Sequence, residues 1–302
     1  MTRLLAIVGP TAAGKSRLAL SLATRFDGEI VNADSRLFYR GFDIGTAKPI
    51  WDERRSVPHH LIDFLNADET LGLARFIELA AKTCKAVAER GRLPILVGGT
   101  GQYVWGLLEG WQVPRVPPNP ELRLKLEALV ETEGAAAVFA HLEKLDPEAA
   151  HRVDAKNPRR VIRAIEIATA VGPSSAPSKA VHPPFDHLVL GVDAPRDVLY
   201  RRIDDRIDAM VASGWLQEIA TLLKSGVRLD APGMSAIGYR EMAAAYRGKI
   251  SLAEAVVQTR AATRQLVRRQ GNWFRKTDSR IHWLEGDVER QAARAVEEWL
   301  GE

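Results

Sequence analysis

The chain has 302 residues, of which 46% are hydrophobic and 26% charged, and its formal net charge is +4 at pH 7. This length and apolar content can bury a large core and a smaller one, which excludes a disordered or fibrous protein. The single cysteine, Cys84, excludes an internal disulfide and a cysteine-paired zinc finger, and it indicates a reducing cytoplasm. The apolar run at residues 4–8 is too short for a signal peptide or a membrane span, so we expect neither export nor anchoring.

That first apolar run leads directly into residues 9–16, whose sequence GPTAAGKS fits the phosphate-loop pattern G-x-x-x-x-G-K-[ST] at every required position. The pattern predicts a strand, a loop whose backbone N–H groups surround a polyphosphate, and a helix over about 15–25. Lys15 would add a positive charge, and Ser16 can hold Mg²⁺. The predicted phosphate-binding residues are Gly9, Pro10, Thr11, Ala12, Ala13, Gly14, Lys15 and Ser16. The loop does not by itself identify the reaction.

Two further strands each end in a residue with possible chemistry. Asp34 follows the predicted strand 29–31, and it is a candidate acid–base group or, alternatively, a helix N-cap. Thr100 lies in the glycine-rich turn after the strand 93–97, where ATPases more usually carry a magnesium-binding Asp. This hydroxyl argues against simple ATP hydrolysis, with a helix-capping role for Thr100 as the alternative.

Proline-rich and glycine-rich segments divide the rest of the chain. The prolines of residues 113–120 mark a boundary, after which helices are predicted over 121–133, 135–145 and 159–170. Residues 172–178 indicate a flexible loop, 187–193 a further core strand, and 281–284 a late strand at one edge of the sheet. We therefore expect a helical insertion domain, 113–184, within a parallel α/β core formed by residues 1–112 and 185–302.

Basic residues concentrate near the end of the chain. Residues 235–280 contain ten Lys or Arg against three acids, and Arg260, Arg264 and Arg268 recur every fourth residue. On a helix this spacing forms one basic ridge, with Asn272 and Trp273 nearby to hydrogen-bond to bases or stack on them. A solvated basic face is the alternative, but the interleaved amide and aromatic side chains favour contact with nucleic acid.

Several separated segments together resemble the tRNA dimethylallyltransferase family, also called tRNA isopentenyltransferases. They are GPTAAGKS at 9–16, NADSRLFYRGFDIGTAKP at 32–49, VPHHLIDF at 57–64 and PILVGGTGQYV at 94–104. The resemblance continues in NPRRVIRA at 157–164, RIDDRIDAM at 202–210, AIGYRE at 236–241 and TRQLVRRQGNWFR at 263–275. It implies a P-loop NTPase-like parallel sheet flanked by helices, with a small all-helical insertion domain.

The resemblance also implies the reaction: transfer of a dimethylallyl group from dimethylallyl diphosphate to N6 of adenosine 37, beside the anticodon of tRNA, with Mg²⁺ as cofactor. In this family the phosphate loop holds the diphosphate of the prenyl donor rather than ATP. Asp34 matches the family's base, Arg206 the arginine that stabilises the departing diphosphate, and Thr100 a residue that contacts substrate near the reacting centre. We expect a cytoplasmic monomer that does not bind membranes.

By the same resemblance, the insertion domain grips the anticodon stem-loop and the basic C-terminal helix flanks it. The residues implied to contact tRNA are Asp34, Ser35, Arg36, Leu37, Thr100, Arg123, Arg159, Arg160, Val161, Ile162, Arg163, Ser235, Tyr239, Arg240, Arg268, Arg269, Gln270, Trp273 and Arg275. Packing roles are the alternative for Val161, Ile162, Tyr239 and Trp273. The chain departs from the family pattern at Leu37 and Arg159, where Gln is common, at Ser235, where some members carry Arg, and at Gly271-Asn272.

Three other functions share parts of this pattern. A phosphate-loop kinase would use ATP and would leave the basic C-terminal helix without a role. A prenyltransferase acting on AMP, ADP or ATP would need neither the insertion nor that helix. A tRNA-binding protein without catalysis is disfavoured because Lys15, Asp34, Thr100 and Arg206 are all present.

Overall fold

The computed structural model describes residues 1–173, 180 and 183–301. Its chain divides into two units, one formed by Met1–Glu109 with His182–Glu302 and the other by Gly110–Val181. The expected insertion, 113–184, overlaps the second unit. Most of the predicted loop at 172–178, from residue 174 onward, lies outside the described residues.

A parallel sheet forms the centre of the first unit. Its strands are β1 (Arg3–Val8), β2 (Gly28–Asn32), β3 (His59–His60), β4 (Leu93–Val97), β5 (Asp186–Gly191) and β6 (His282–Trp283). The strand order is β3-β2-β4-β1-β5-β6, and neighbouring strands pair in parallel. The predicted parallel α/β fold is therefore confirmed, and the predicted late edge strand is β6.

The central strands are apolar on both faces because helices cover both sides of the sheet. In β1 the side chains from Leu4 to Val8 are completely buried, and all of β4 is buried. Such continuous apolar runs are typical of parallel strands, which is why these strands could be predicted. The two-residue strand β3 contains only His59 and His60, so it has no apolar run and was not predicted.

Helices follow most strands and make up the second unit. They are α1 (Lys15–Arg25), α2 (Trp51–Ser56), α3 (Leu73–Glu89), α4 (Gly101–Leu108), α5 (Pro120–Glu133), α6 (Ala135–Leu145), α7 (Pro147–Arg152), α8 (Pro158–Val171), α9 (Arg196–Ala212), α10 (Trp215–Lys224), α11 (Tyr239–Tyr246), α12 (Leu252–Trp273) and α13 (Val288–Leu300), with a 3₁₀ turn at Pro232–Ser235. None of the helices within the described residues is long and apolar enough to span a bilayer.

Three of the four helices of the second unit begin with the same local sequence, an Asn or Asp cap followed by proline. Asn119, Asp146 and Asn157 each accept a hydrogen bond from a backbone N–H in the first turn of α5, α7 and α8, and each is followed by proline. An Asx cap satisfies an unpaired N–H group, and proline at the first helical position has no N–H to satisfy. The four helices enclose a small core that includes Leu126, Val138, Leu142 and Ile165.

The turn after β4 packs directly on the backbone after β2. A Cβ atom added to Gly98 would lie well under 3.0 Å from the carbonyl carbon and oxygen of Ala33. The backbone N–H of Ala33 also donates to the carbonyl of Val97, at 2.8 Å. This part of the sheet edge has room only for glycine.

We therefore expect Gly98→Ala to lower the free energy of unfolding by about 1–3 kcal/mol or more, because backbone atoms cannot move aside cheaply. The matched control is Gly271→Ala in α12, where an added Cβ meets nothing within 4 Å. Alanine there should raise the free energy of unfolding by up to about 1 kcal/mol, since glycine is a poor helix former. Chemical denaturation of both variants measures the difference, and equal stabilities would show that the turn is not tightly packed.

Candidate active site

Three loops meet at the carboxyl edge of the sheet, where ligands usually bind in open α/β folds. Because β2, β4 and β1 are neighbours in that order, the segments that follow them lie side by side. These segments carry Asp34 after β2, Thr100 after β4 and Lys15 after β1. The structure thus brings together three of the residues that the sequence singled out.

The phosphate loop depends on two glycines with positive φ. Gly9 has φ +135°, and a Cβ there would lie well under 3.0 Å from the carbonyl oxygen of Val192. Gly14 has φ +105° and is the N-cap of α1. These conformations favour glycine and turn the chain so that α1 begins at Lys15. The unpaired N–H groups of the first helical turn, together with the helix dipole, favour an anion beside the loop.

Lys15 folds back over the loop, where its Nζ donates to the carbonyl of Pro10 at 2.7 Å. Burial lowers the pKa of Lys15 to about 8, partly offset by the attraction of Asp34, and the Arg206 guanidinium lowers it further. A bound polyphosphate would replace the lost hydration of this ammonium group. The lysine is therefore suited to an anion that enters the loop.

Asp34 closes a turn and starts no helix. Its Oδ1 accepts from the backbone N–H of Arg36 at 2.9 Å, and its own N–H donates to Asn32 Oδ1 at 2.8 Å. Asn32 in turn donates through Nδ2 to the carbonyls of Asp34 and Leu61. The helix N-cap alternative is wrong for Asp34, because the next helix is α2 at residue 51. Among the described residues no hydrogen bond engages Asp34 Oδ2, so this oxygen can accept a proton.

Arg206 projects from α9, and Asp34 acts on it electrostatically. The guanidinium is half-buried and makes no hydrogen bond or ion pair with any residue the structure describes. Burial lowers the pKa of Arg206 and the attraction of Asp34 opposes that change, but an arginine side chain stays charged in either case. A half-buried cation without a partner is a favourable place for an anionic substrate.

Thr100 occupies the N-cap position of α4, but its side chain does not cap the helix. Instead, its Oγ1 accepts from the backbone N–H of Ser35 at 3.3 Å, which links the turn after β4 to the turn after β2. The capping alternative is therefore not observed. The hydroxyl hydrogen is still available to donate to a substrate atom near Asp34.

The second unit contains exposed arginines and arginines that are held in ion pairs. Arg159 and Arg160 are exposed at the start of α8 and have no partner among the described residues. Arg123 and Arg163, in contrast, hold the buried carboxylate of Glu166, with Arg123 binding it through Nε at 2.7 Å and Nη2 at 2.9 Å. These two arginines stabilise the helical unit, so fewer of their donors are free for RNA.

Four side chains implied to contact tRNA are buried, and the structure corrects their role. Val161, Ile162, Tyr239 and Gln270 are 0–5% exposed. Tyr239 donates its hydroxyl to Glu218 at 2.6 Å, and Val161 and Ile162 lie in the core of the second unit. Buried side chains cannot contact RNA in this structure, so the packing alternative holds for the first three, and Gln270 has partners within the site.

The remaining candidates of the first unit lie at the surface. Arg240, Arg268 and Arg269 are exposed without a hydrogen bond or ion pair in the part of the chain described. Trp273 is 38% exposed. Of the other residues implied to contact tRNA, Leu37 is half-buried. Arg36 donates to Ser235 Oγ at 2.7 Å, and Arg275 donates to the carbonyl of Asn272 at 3.4 Å.

Within the described residues, only part of the predicted basic ridge on α12, Arg260, Arg264 and Arg268, is free of ion pairs and able to contact RNA. Arg260 pairs with Asp204 and Asp208 of α9, and Arg264 pairs with Asp204. These ion pairs join α12 to α9, whereas Arg268, the third member, is exposed. The acids lie four residues apart in RIDDRID, a spacing that places them on one face of a helix and could have indicated a basic partner.

A metal ion would find few protein ligands here. In the described ranges no group of three or more His, Cys, Asp or Glu side chains could hold one. Magnesium commonly keeps several waters and binds substrate phosphates with few protein oxygens. The exposed Ser16, at the start of α1, fits that mode of binding.

Sequence comparisons match this chain to a family model and to named relatives. A family model described as IPP transferase matches residues 37–277. The tRNA dimethylallyltransferase of a Roseiflexus species is 46% identical over 99% of this chain and 99% of its own. That of Thermomicrobium roseum is also 46% identical, over 93% of this chain and 85% of its own.

Solved structures are also similar over nearly the whole chain. The full-length tRNA isopentenylpyrophosphate transferase of Bacillus halodurans is 37% identical, with a TM-score of 0.72 over 100% of this chain and 99% of its own. A eukaryotic dimethylallyltransferase acting on tRNA is 26% identical, with a TM-score of 0.81 over 98% of this chain and 78% of its own. This chain belongs to the IPP transferase family.

Proposed function

We propose that this protein transfers a dimethylallyl group from dimethylallyl diphosphate to N6 of adenosine 37 in tRNA and releases diphosphate. The observation that carries the proposal is that neighbouring strands bring the phosphate loop with Lys15, the Thr100 turn and the carboxylate of Asp34 to one edge of the sheet. Asp34 acts electrostatically on Lys15 and on Arg206, which has no partner among the described residues. Relatives named tRNA dimethylallyltransferase support the same reaction. The protein would act as a monomer in the cytoplasm, where its tRNA substrate is available.

The phosphate loop and the two cations suit the leaving group. As the bond between C1 of the prenyl group and the diphosphate oxygen breaks, negative charge accumulates on diphosphate. Lys15, Arg206 and the N–H groups at the start of α1 would stabilise that charge more in the transition state than in the substrate. This placement favours prenyl transfer over ATP hydrolysis, because the site offers no magnesium-binding carboxylate after β4.

Asp34 suits the other half of the reaction. The exocyclic amine of adenine is a weak nucleophile, since its lone pair is delocalised into the ring. A carboxylate that takes the N6 proton as the new C–N bond forms removes the resulting positive charge. Oδ1 of Asp34 is engaged by the backbone of Arg36, which fixes the carboxylate and leaves Oδ2 for the proton.

Ser16 would hold Mg²⁺ together with diphosphate oxygens. When bound, the ion would supply positive charge beside the leaving diphosphate. Among the protein's own groups, Lys15 and Arg206 supply positive charge there.

The proposed RNA contacts come from other residues. The exposed arginines at positions 159, 160, 240, 268 and 269 supply phosphate contacts, and Trp273 supplies a partly exposed ring for stacking.

The experiment that tests this proposal is product analysis with radiolabelled dimethylallyl diphosphate and Mg²⁺. Unmodified tRNA, an anticodon stem-loop, AMP and ATP are incubated in parallel, and the nucleosides are analysed by mass. Label on N6 of adenosine 37 supports the proposal. Label on the mononucleotides, or ATP turnover without label transfer, would identify one of the rival activities instead.

We expect Asp34→Asn to slow the single-turnover rate by roughly 10²–10⁴-fold, because asparagine cannot take the N6 proton. Dimethylallyl diphosphate should still bind, since Lys15, Arg206 and the phosphate loop remain. Asp52→Asn, which changes an exposed carboxylate on α2, is the matched control and should keep the wild-type rate. If Asp34→Asn retains more than about a tenth of the rate, Asp34 is not the base.

The affinity for dimethylallyl diphosphate should fall as the pH rises above about 8, the pKa of Lys15 in the free protein. Above that pH the lysine is neutral and must take up a proton to bind the anion, which costs up to about tenfold in affinity per pH unit. Titration calorimetry between pH 6 and pH 10 measures this dependence. Lys15→Met should bind more weakly and lack the inflection, and an identical profile for the two proteins would exclude Lys15 from the diphosphate site.

Replacing the exposed pair Arg268 and Arg269 by Gln should weaken tRNA binding and reduce its salt dependence. Each lost phosphate contact should lower the slope of log K against log salt by roughly 0.7–0.9. Replacing Arg260 and Arg264 by Gln removes the same charge from the ion pairs with α9, so it should lower thermal stability and leave the slope unchanged. If only the Arg260 and Arg264 replacement changes the slope, Arg268 and Arg269 do not form the RNA-binding surface.

A further inference from the structure

Gln270 is one of the few buried polar side chains, with 4% of its surface exposed. Its Oε1 accepts from the backbone N–H of Thr11 in the phosphate loop, at 2.8 Å. Its Nε2 donates to the carbonyl of Gly99 in the turn before Thr100, at 3.2 Å. One amide therefore joins α12 to two of the three loops of the site, the phosphate loop and the turn after β4.

The surroundings of Gln270 are shaped to receive it. A Cβ on Gly99 would lie well under 3.0 Å from Nε2 of Gln270, and a Cβ on Gly101 would meet the Trp273 ring equally closely. Trp105 of α4 also donates through Nε1 to the carbonyl of Trp273, at 3.2 Å. The last turn of α12 is thus docked on the glycine-rich turn, and both glycines are needed for this approach.

We propose that Gln270 is a positioning residue that fixes the phosphate loop relative to the Thr100 turn, and that it does not read the RNA. This inference rests on the proposed function, because it concerns where the diphosphate lies relative to the acceptor side of the site. An amide side chain of this length carries both an acceptor for the N–H of Thr11 and a donor for the carbonyl of Gly99. With Thr11 tied to α12, the loop keeps its shape before the anion arrives, so binding does not have to order it.

The test uses two substitutions that keep the length of the side chain. Gln270→Met removes both hydrogen bonds, and Gln270→Glu removes the donor and places a charge beside the Gly99 carbonyl. Gln258→Met and Gln258→Glu, at an exposed position of the same helix, are the matched controls. For each full-length variant, calorimetry gives the Kd of inorganic diphosphate and filter binding gives the Kd of tRNA, while thermal melting checks folding.

We expect both Gln270 variants to bind diphosphate about 10-fold to 100-fold more weakly, since each leaves a buried backbone group unpaired. Their tRNA affinity should stay within about threefold of the wild type, and the Gln258 controls should match the wild type in both assays. The single-turnover rate at saturating diphosphate donor should also fall in the Gln270 variants, because the loop no longer holds one position relative to Asp34.

Gln270→Glu adds a signature that a general loss of stability would not produce. A protonated carboxylic acid can donate to Gly99 and accept from Thr11, as the amide does. Burial raises the pKa of such a group, so the diphosphate affinity of this variant relative to wild type should recover as the pH falls towards 5. Gln270→Met should show no recovery.

Three results would overturn the proposal. Weakened tRNA binding with unchanged diphosphate binding would assign Gln270 to the RNA. Lower melting temperature with both affinities unchanged would make the residue merely structural, and a Gln270→Glu defect that does not respond to pH would exclude the paired hydrogen bonds. The diphosphate assay does not need tRNA modification, so a wild-type protein that binds diphosphate without prenylating tRNA would reject the proposed function alone.

Discussion

Close backbone packing at the carboxyl edge of the sheet is the constraint on which the site depends. Gly9 lies against the carbonyl of Val192 and Gly98 against that of Ala33, at separations that leave no room for a Cβ. The loop after β1 can pack on the segment after β5, and the turn after β4 on the segment after β2, only because glycine permits this approach. Gln270 then ties two of these loops to the C-terminal helix. The positions of Lys15, Asp34 and Thr100 follow from this packing.

The electrostatics of the site follow from the same geometry. Lys15 and Arg206 are both partly removed from water, and each has a pKa below its ordinary value, with Asp34 opposing the change. Two cations without enough anionic neighbours cost free energy that a bound diphosphate would return. Asp34 follows β2, and the Thr100 turn after β4 separates it from the phosphate loop in the strand order. Its carboxylate is held by the backbone N–H of Arg36. The group that binds the anion, the phosphate loop, thus follows β1, and the group that accepts the proton, Asp34, follows β2.

Much of the fold could be predicted from local patterns. Continuous apolar runs predicted the longer strands, and the phosphate-loop pattern predicted α1 at its observed bounds. The predictions were wrong or absent where partners are distant in sequence. Arg260 and Arg264 form a basic ridge by spacing alone, but acids on α9, more than 50 residues earlier, neutralise them. Likewise, nothing local to Gln270 indicates its bonds to residues 11 and 99. Such contacts depend on tertiary packing, which periodicity does not record.

The most direct test of this account is a crystal structure with a nonreactive dimethylallyl thiolodiphosphate, Mg²⁺ and an anticodon stem-loop. We predict that the diphosphate lies in the loop of residues 9–16, contacted by Lys15 and Arg206, with the prenyl C1 and the adenine N6 between it and Asp34. A diphosphate bound outside that loop, or an adenine that does not approach Asp34, would contradict the account.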